Sequence, residues 1–233
     1  MMSQESRTPS RRQFLQLGVT ATAAAGLLAS GLELSLPTTA QAQSKLTPDE
    51  ALADLMAGNK RFVSGKMTAY EHDLAILKQH TEEKQEPFAA VLSCADSRVP
   101  IELAFDQTIG HLFVARVAGN IITPEIIGSL EFGAAVLGTK VILVLGHGGC
   151  GAVKATIAGK GVPGQISSLF PHIQPAVDQA GSNLEAATKA NAKIQATLLS
   201  ESSPVISSMV KEGALKVVAG YYDLATGAVA LID

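Results

Sequence analysis

The chain has 233 residues, of which 47% are apolar and only 4% aromatic, and its formal net charge is −3. That length suits one or two domains, and the apolar share is enough for a sizeable core. The small net charge, with no basic stripe and no RNA-binding signature, argues against nucleic acid as a partner.

The first part of the chain reads as a targeting segment. From Ser10 to Gly31 it runs SRRQFLQLGVTATAAAGLLASG, with Arg11 and Arg12 ahead of Phe14 and Leu15 and then a weakly hydrophobic Ala/Gly/Leu stretch. The pattern resembles a twin-arginine export signal. Ala40-Gln41-Ala42 supplies a small-x-small cleavage pattern, so cleavage is expected near Ala42. The apolar stretch is short, Ala-rich and broken by Glu33, which argues against a membrane anchor. The expected organisation is a signal peptide over residues 1–42 and one domain over 43–233. The expected route is the twin-arginine export machinery, to the periplasm or otherwise outside, with no stable membrane span after processing. That machinery moves folded proteins, which suits a cofactor acquired in the cytoplasm.

Thr47-Pro48-Asp49-Glu50 is a capping box with proline at the first helical position, and it predicts a helix through about Asn59. A second helix is predicted over His72–Lys84. PFAAVLS, ending at Ser93, reads as a strand apolar on both faces, as parallel sheets require. A short helix over Pro100–Asp106, a strand over Leu112–Val117, a helix over Pro124–Leu137 and a strand over Val141–Gly146 follow, with another helix from about Gly149. Residues 165–213 read as helical, with breaks at Pro171, Pro175, Gly181 and Pro204. Leu215–Tyr222 is the fourth strand. Ala228–Ile232 is the fifth, reached by a tight turn near Thr226-Gly227 and so antiparallel. The alternation predicts an α/β fold: a mostly parallel central sheet flanked by helices, with an antiparallel C-terminal edge strand.

Two strand ends carry the chemistry. The third strand runs into LGHGGCGAV, where Gly146 to Gly151 fits G-x-G-x-x-G after a strand and before a helix. The dinucleotide reading then needs an acidic residue downstream for the ribose, and between Ala152 and Val177 there is no Asp or Glu. His147 and Cys150 instead have the H-x-x-C spacing of metal ligands. Cys94 also lies just past a parallel strand, and sites in open α/β sheets form at the carboxyl ends of adjacent strands. If the first and third strands are neighbours, Cys94, His147 and Cys150 make a Cys₂His set. Three protein ligands with one open position suit catalytic zinc, one Zn²⁺ per chain. A Cys94–Cys150 disulfide is the alternative for an exported chain, but it leaves His147, Asp96 and Arg98 without a purpose.

The stretch LSCADSRVP places Cys94, Asp96 and Arg98 at alternate positions where the first strand ends. Zinc with two thiolates is formally neutral and acidifies its water less than a three-histidine site does. Asp96 is placed to orient a zinc-bound hydroxide, and Arg98 to hold Asp96 in a bidentate pair so that the carboxylate does not occupy the open position.

CADSR together with HGGCG resembles the β-class carbonic anhydrase family, and the similarity extends over Leu46–Asp233 through GNKRF, FDQTIGHLFVARVAGN and GSLEFGAAVLGTKVILVLGH. The resemblance implies CO₂ + H₂O ⇌ HCO₃⁻ + H⁺. It implies zinc ligands Cys94, His147 and Cys150, a catalytic dyad of Asp96 and Arg98, and substrate-binding positions Gln85, Phe113, Phe132 and Gly151. Phe132 stands where many members have tyrosine, so a hydroxyl contact is missing. The resemblance also implies a homodimer or higher homo-oligomer with sites at the subunit interface. Members that close their site by swinging the aspartate onto zinc carry a tryptophan at the position of Val91, and this chain has no tryptophan. The open type is therefore expected. A hydrolase of CS₂ or COS with the same ligands and a non-catalytic zinc- or bicarbonate-binding protein are the competing readings. The missing C-x-x-C argues against a thiol redox protein.

Overall fold

The computed structural model of the chain describes residues 44–69 and 84–233. The export signal and all but Lys84 of the helix expected over His72–Lys84 lie outside them. Helix α1, Pro48–Val63, starts on the expected capping box: the Thr47 side chain accepts from Glu50 N, and Glu50 accepts from Thr47 N at 2.8 Å. Strand β1 is Ala89–Ser93, followed by a single helical turn α2, Ile101–Ala104, and strand β2, Leu112–Arg116. Helix α3, Pro124–Glu131, leads to β3, Val141–His147, and α4, Gly151–Ala158. A 3₁₀ stretch over Gly164–Leu169 precedes α5, Phe170–Ala180, then α6, Leu184–Ser202, and α7, Pro204–Lys211. Strands β4, Lys216–Tyr222, and β5, Val229–Ile232, finish the chain.

The sheet order is β2-β1-β3-β4-β5, parallel except for the antiparallel β4–β5 pair. The first and third strands are thus hydrogen-bonded neighbours. From β1 the chain crosses to one side and from β3 to the other, so a topological switch point lies between these two central strands.

Strand residues alternate between two core layers. Ala90, Leu92, Ile142 and Val144 pack with Leu130, Ala192, Ala196, Leu199 and Ile206 from α3, α6 and α7. Ala89, Val91, Val141, Leu143 and Leu145 pack on the other face with Ala51, Leu55, Ile101 and Ala104 of α1 and α2. A third cluster joins Cys94 and Cys150 to Ile121, Val153, Ile173 and Ala187, at the carboxyl end of the sheet.

Two expectations for the helices are corrected. The helix expected over Pro124–Leu137 is α-helical only to Glu131 and then widens into a π turn over Phe132–Val136, closed by Leu137 N donating to Phe132 O at 3.1 Å. The widening falls at Gly133, a weak helix former whose missing side chain makes room for the Phe113 ring; a Cβ there would stand 3.0 Å from Phe113 Cδ1. Pro171 and Pro175 do not break α5. Pro171 sits in its first turn, where a missing N–H costs nothing, and Pro175 removes one bond from a helix whose Ile173 and Ala176 are buried on either side of it. Gly181 and Pro204 do end and start helices.

Candidate metal centre

Cys94 is the residue after β1, His147 is the last residue of β3, and Cys150 is the N-cap of α4. Parallel pairing of Ser93 with Leu145 brings these ends to one level. Between His147 and Cys150 the chain must turn sharply, and Gly149 does so at φ +64°, a conformation that favours glycine. The Gly148 N–H is tied to Tyr222 O at 2.9 Å. The ligand atoms of Cys94, His147 and Cys150 all lie within 4.8 Å of one another, and all three residues are buried. Both cysteines are free thiols, so the disulfide alternative is not what the fold uses.

The donor set fits zinc. His147 Nδ1 lies 2.9 Å from Gly148 O. A carbonyl only accepts, so Nδ1 carries the proton and Nε2 keeps its lone pair. Nε2 is buried with no hydrogen-bond partner among the described residues, as an imidazole built to ligate must be. The Cys94 thiol is pushed down, chiefly by a hydrogen bond with Cys150 and against the penalty of burial, while Cys150 is pushed up by that same bond and by burial. A lowered thiol gives up its proton more readily, and the thiolate is the ligating form. Zinc is the cofactor for this set.

Asp96 stands beside these atoms, with Oδ2 3.9 Å from His147 Nε2, beyond hydrogen-bond distance. Arg98 holds it at three points: the backbone N and Nε donate to Oδ1 at 3.0 and 2.9 Å, and Nη2 donates to Oδ2 at 2.8 Å. The Arg98 side chain keeps the Asp96 carboxyl well below the usual carboxylate range, and Asp96 raises Arg98 in turn. Arg98 Nη2 also reaches Gly149 O at 3.3 Å, bridging the two ligand loops.

Two residues outside the sequence-predicted set, Arg116 and Gly119, also touch the site. Arg116, at the end of β2, donates from Nε to Cys94 O at 3.0 Å and from Nη2 to Asp96 O at 2.6 Å, so one guanidinium fixes the backbone of a ligand and of the dyad. Gly119 N donates to Cys94 Sγ at 3.3 Å. The available signal for Arg116 was its position: it closes β2, paired with Ser93 in the register.

The remaining sequence-predicted positions are placed elsewhere, apart from Gly151. Gly151 opens α4 directly after Cys150 and is exposed, with its N–H available at a helix start. Gln85 is exposed ahead of β1, at the amino end of the sheet. Phe113 pairs with Ala90, about 13 Å back along the strand from the level of Cys94 at 3.3 Å per residue. Phe132 is 46% exposed on the π turn, its ring centroid 6.4 Å from that of Phe113. A single chain thus brings the three ligands, Asp96 and Arg98 together, and leaves Gln85, Phe113 and Phe132 away from them.

Comparison with known proteins agrees with this geometry. The carbonic anhydrase family profile matches residues 89–229. Carbonic anhydrase 2 of Mycobacterium tuberculosis is 32% identical over 198 residues, covering 80% of this chain and 93% of its own. A carbonic anhydrase of Pseudomonas aeruginosa is 30% identical, covering 64% of this chain and 75% of its own. Among solved structures, the β-carbonic anhydrase CcaA superposes with a TM-score of 0.64 at 25% identity, covering 79% of this chain and 88% of its own.

Proposed function

The chain belongs to the β-carbonic anhydrase family of zinc enzymes, which hydrate CO₂, and on that premise we propose that Asp96 and Arg98 carry the orienting work of the reaction. The observation that supports this most is the three-point hold of Arg98 on a carboxylate placed beside three clustered ligand atoms. Cys94, His147 and Cys150 would hold the zinc, which would supply a Lewis acid able to acidify a water molecule. Asp96 would accept a hydrogen bond from the attacking oxygen and so direct its lone pair at the CO₂ carbon; the net change, CO₂ + H₂O to HCO₃⁻ + H⁺, leaves the proton to solvent. Arg98 keeps Asp96 in that role and out of the ligand set, which makes the enzyme of the open type. Val91 in place of a tryptophan supports the same reading.

Gln85, Phe113 and Phe132 act on substrate in this reading only when a second copy brings them to the ligands, so the working unit is a homodimer or a larger homo-oligomer. The exposed Phe132 and Val136, 46% and 45% accessible on the π turn, are apolar groups such an interface would cover. Gly151 offers its N–H to bicarbonate. The enzyme is exported by the twin-arginine route after cleavage near Ala42. No helix among the described residues is long and apolar enough to cross a membrane.

The test is zinc content per chain with stopped-flow CO₂ hydration, and Cys150→Ser as control. One zinc per chain and fast hydration, both lost in the control, is the expected result. Zinc without CO₂ hydration between pH 7 and 9 would refute the function.

A further inference from the structure

The long helix α6 buries polar side chains that the mechanism above does not use. Thr188, Asn191 and Gln195 face inward with 1%, 0% and 0% exposure. Thr188 satisfies itself inside the helix, donating to Leu184 O. Asn191 and Gln195 do not. Asn191 Nδ2 donates to Gly119 O at 2.8 Å, and Gln195 Oε1 accepts from Ile122 N at 2.8 Å. Gln195 Nε2 donates to His172 O at 2.9 Å and to Asn191 Oδ1 at 3.3 Å. The two amides brace each other and grip both ends of the segment 119–122.

That segment is poorly able to hold itself. Gly119 and Asn120 are both left-handed, at φ +78° and +44°, and the second is costly for a residue with a side chain. The polar atoms of the Asn120 side chain are buried without a hydrogen-bond partner among the described residues, so they do not brace the turn. What the turn presents is the Gly119 N–H, 3.3 Å from Cys94 Sγ. Ile173 closes in from the far side: a Cβ on Gly119 would stand 2.7 Å from its Cδ1.

We infer that Asn191 and Gln195 are positioning residues of the metal centre, holding the turn at Gly119 O and Ile122 N so that the Gly119 N–H donates to the Cys94 sulfur. The inference rests on Cys94 being a zinc ligand, as proposed above. An N–H donated to a ligating thiolate fixes the direction of the sulfur and draws charge from it, and partners of this kind typically alter metal affinity by about 10- to 100-fold. Packing alone does not explain the amides. Apolar side chains would cover the Ala-rich face of α6 without the cost of burying two amides.

In the zinc-loaded full chain, Asn191→Ala and Gln195→Ala are each expected to release zinc to a chelator about 10-fold faster than wild type. Leu199→Ala, a cavity in the same helix away from the turn, is expected to lower the melting temperature and leave the release rate unchanged. In chain loaded with cadmium-113, the Gly119 amide proton is expected to show a scalar coupling to the metal through sulfur, and Asn191→Ala is expected to remove it. Release rates equal to wild type in both amide variants, release accelerated as much by Leu199→Ala, or a coupling kept in Asn191→Ala would overturn the inference. If the amide variants do not fold, the absence of the coupling in wild type overturns it alone. A wild-type chain that shows the coupling but no CO₂ hydration keeps this inference and defeats the proposed function.

Discussion

Replacing Arg98 separates what the dyad does for rate from what it does for stability. Arg98→Ala removes two of the three bonds to Asp96, those from Nε and Nη2, and the reach of Nη2 to Gly149 O; the bond from the backbone N–H remains. The Arg98 side chain is 55% exposed, so water replaces most of what it loses and the fold hardly notices. The melting temperature should fall by no more than about 3 °C. Asp96, however, keeps one bond where it had three, and its carboxylate is free to swing out of line. Misplacing an orienting group of this kind can cost about 10²-fold in rate. Arg98→Lys restores the charge but not the planar fork and should recover less than a tenth of that loss. Stopped-flow CO₂ hydration at saturating CO₂, paired with thermal unfolding of the same samples, reads both quantities. Activity within threefold of wild type in Arg98→Ala would show that Asp96 needs no clamp, and the account of the dyad would fall.

Asn59 makes three buried hydrogen bonds at 2.9 Å, to Ala104 O, Gly227 O and Val229 N, joining α1 to the end of α2 and to β5. Asn59→Ala strands all three groups and should cost about 3–5 kcal/mol in urea unfolding; a loss under about 1 kcal/mol would mean that water replaces them. Gly58 allows α1 to approach the turn after α2, since a Cβ there would stand 1.8 Å from Phe105 O; Gly58→Ala should lower the melting temperature by more than about 10 °C or give insoluble protein. Burial raises Asp106, but the N–H of Ala69, the Arg61 guanidinium and the N–H of Thr68 outweigh it and hold the carboxyl below its ordinary value. Its stabilisation is therefore present above the unfolded value of about 4 and is lost as pH falls through the folded one. Urea unfolding from pH 5 to pH 2 should show a flatter acid limb in Asp106→Asn, and a limb as steep as wild type would contradict this.

The sheet was legible because β1 and β3 are apolar on both faces, a pattern that only a doubly covered strand satisfies. The metal centre was legible because thiols and an imidazole at strand ends have few other uses. The π turn was not, since Gly133 widens its helix only in the presence of Phe113, which lies on another element. Pro175 misled because a single missing N–H is outweighed by the burial of Ile173 and Ala176, a balance set by tertiary packing. Arg116, Asn191 and Gln195 stayed hidden for a different reason: they act on backbone atoms of distant segments, and backbone atoms leave no mark in a sequence. A helix repeating polar residues at 188, 191 and 195 among alanines was the trace available.

The pairing of Ser93 with Leu145 means that the ligands on two separate strands meet only in one alignment. Sliding β1 by a single residue against β3 would turn each of its side chains to the opposite face. Such a misaligned chain could keep its helices, its strands and most of its circular dichroism, yet Cys94 would no longer face His147 and Cys150. Bound zinc is therefore a stoichiometric count of correctly aligned molecules, and metal content after refolding measures strand alignment that spectra of secondary structure do not detect.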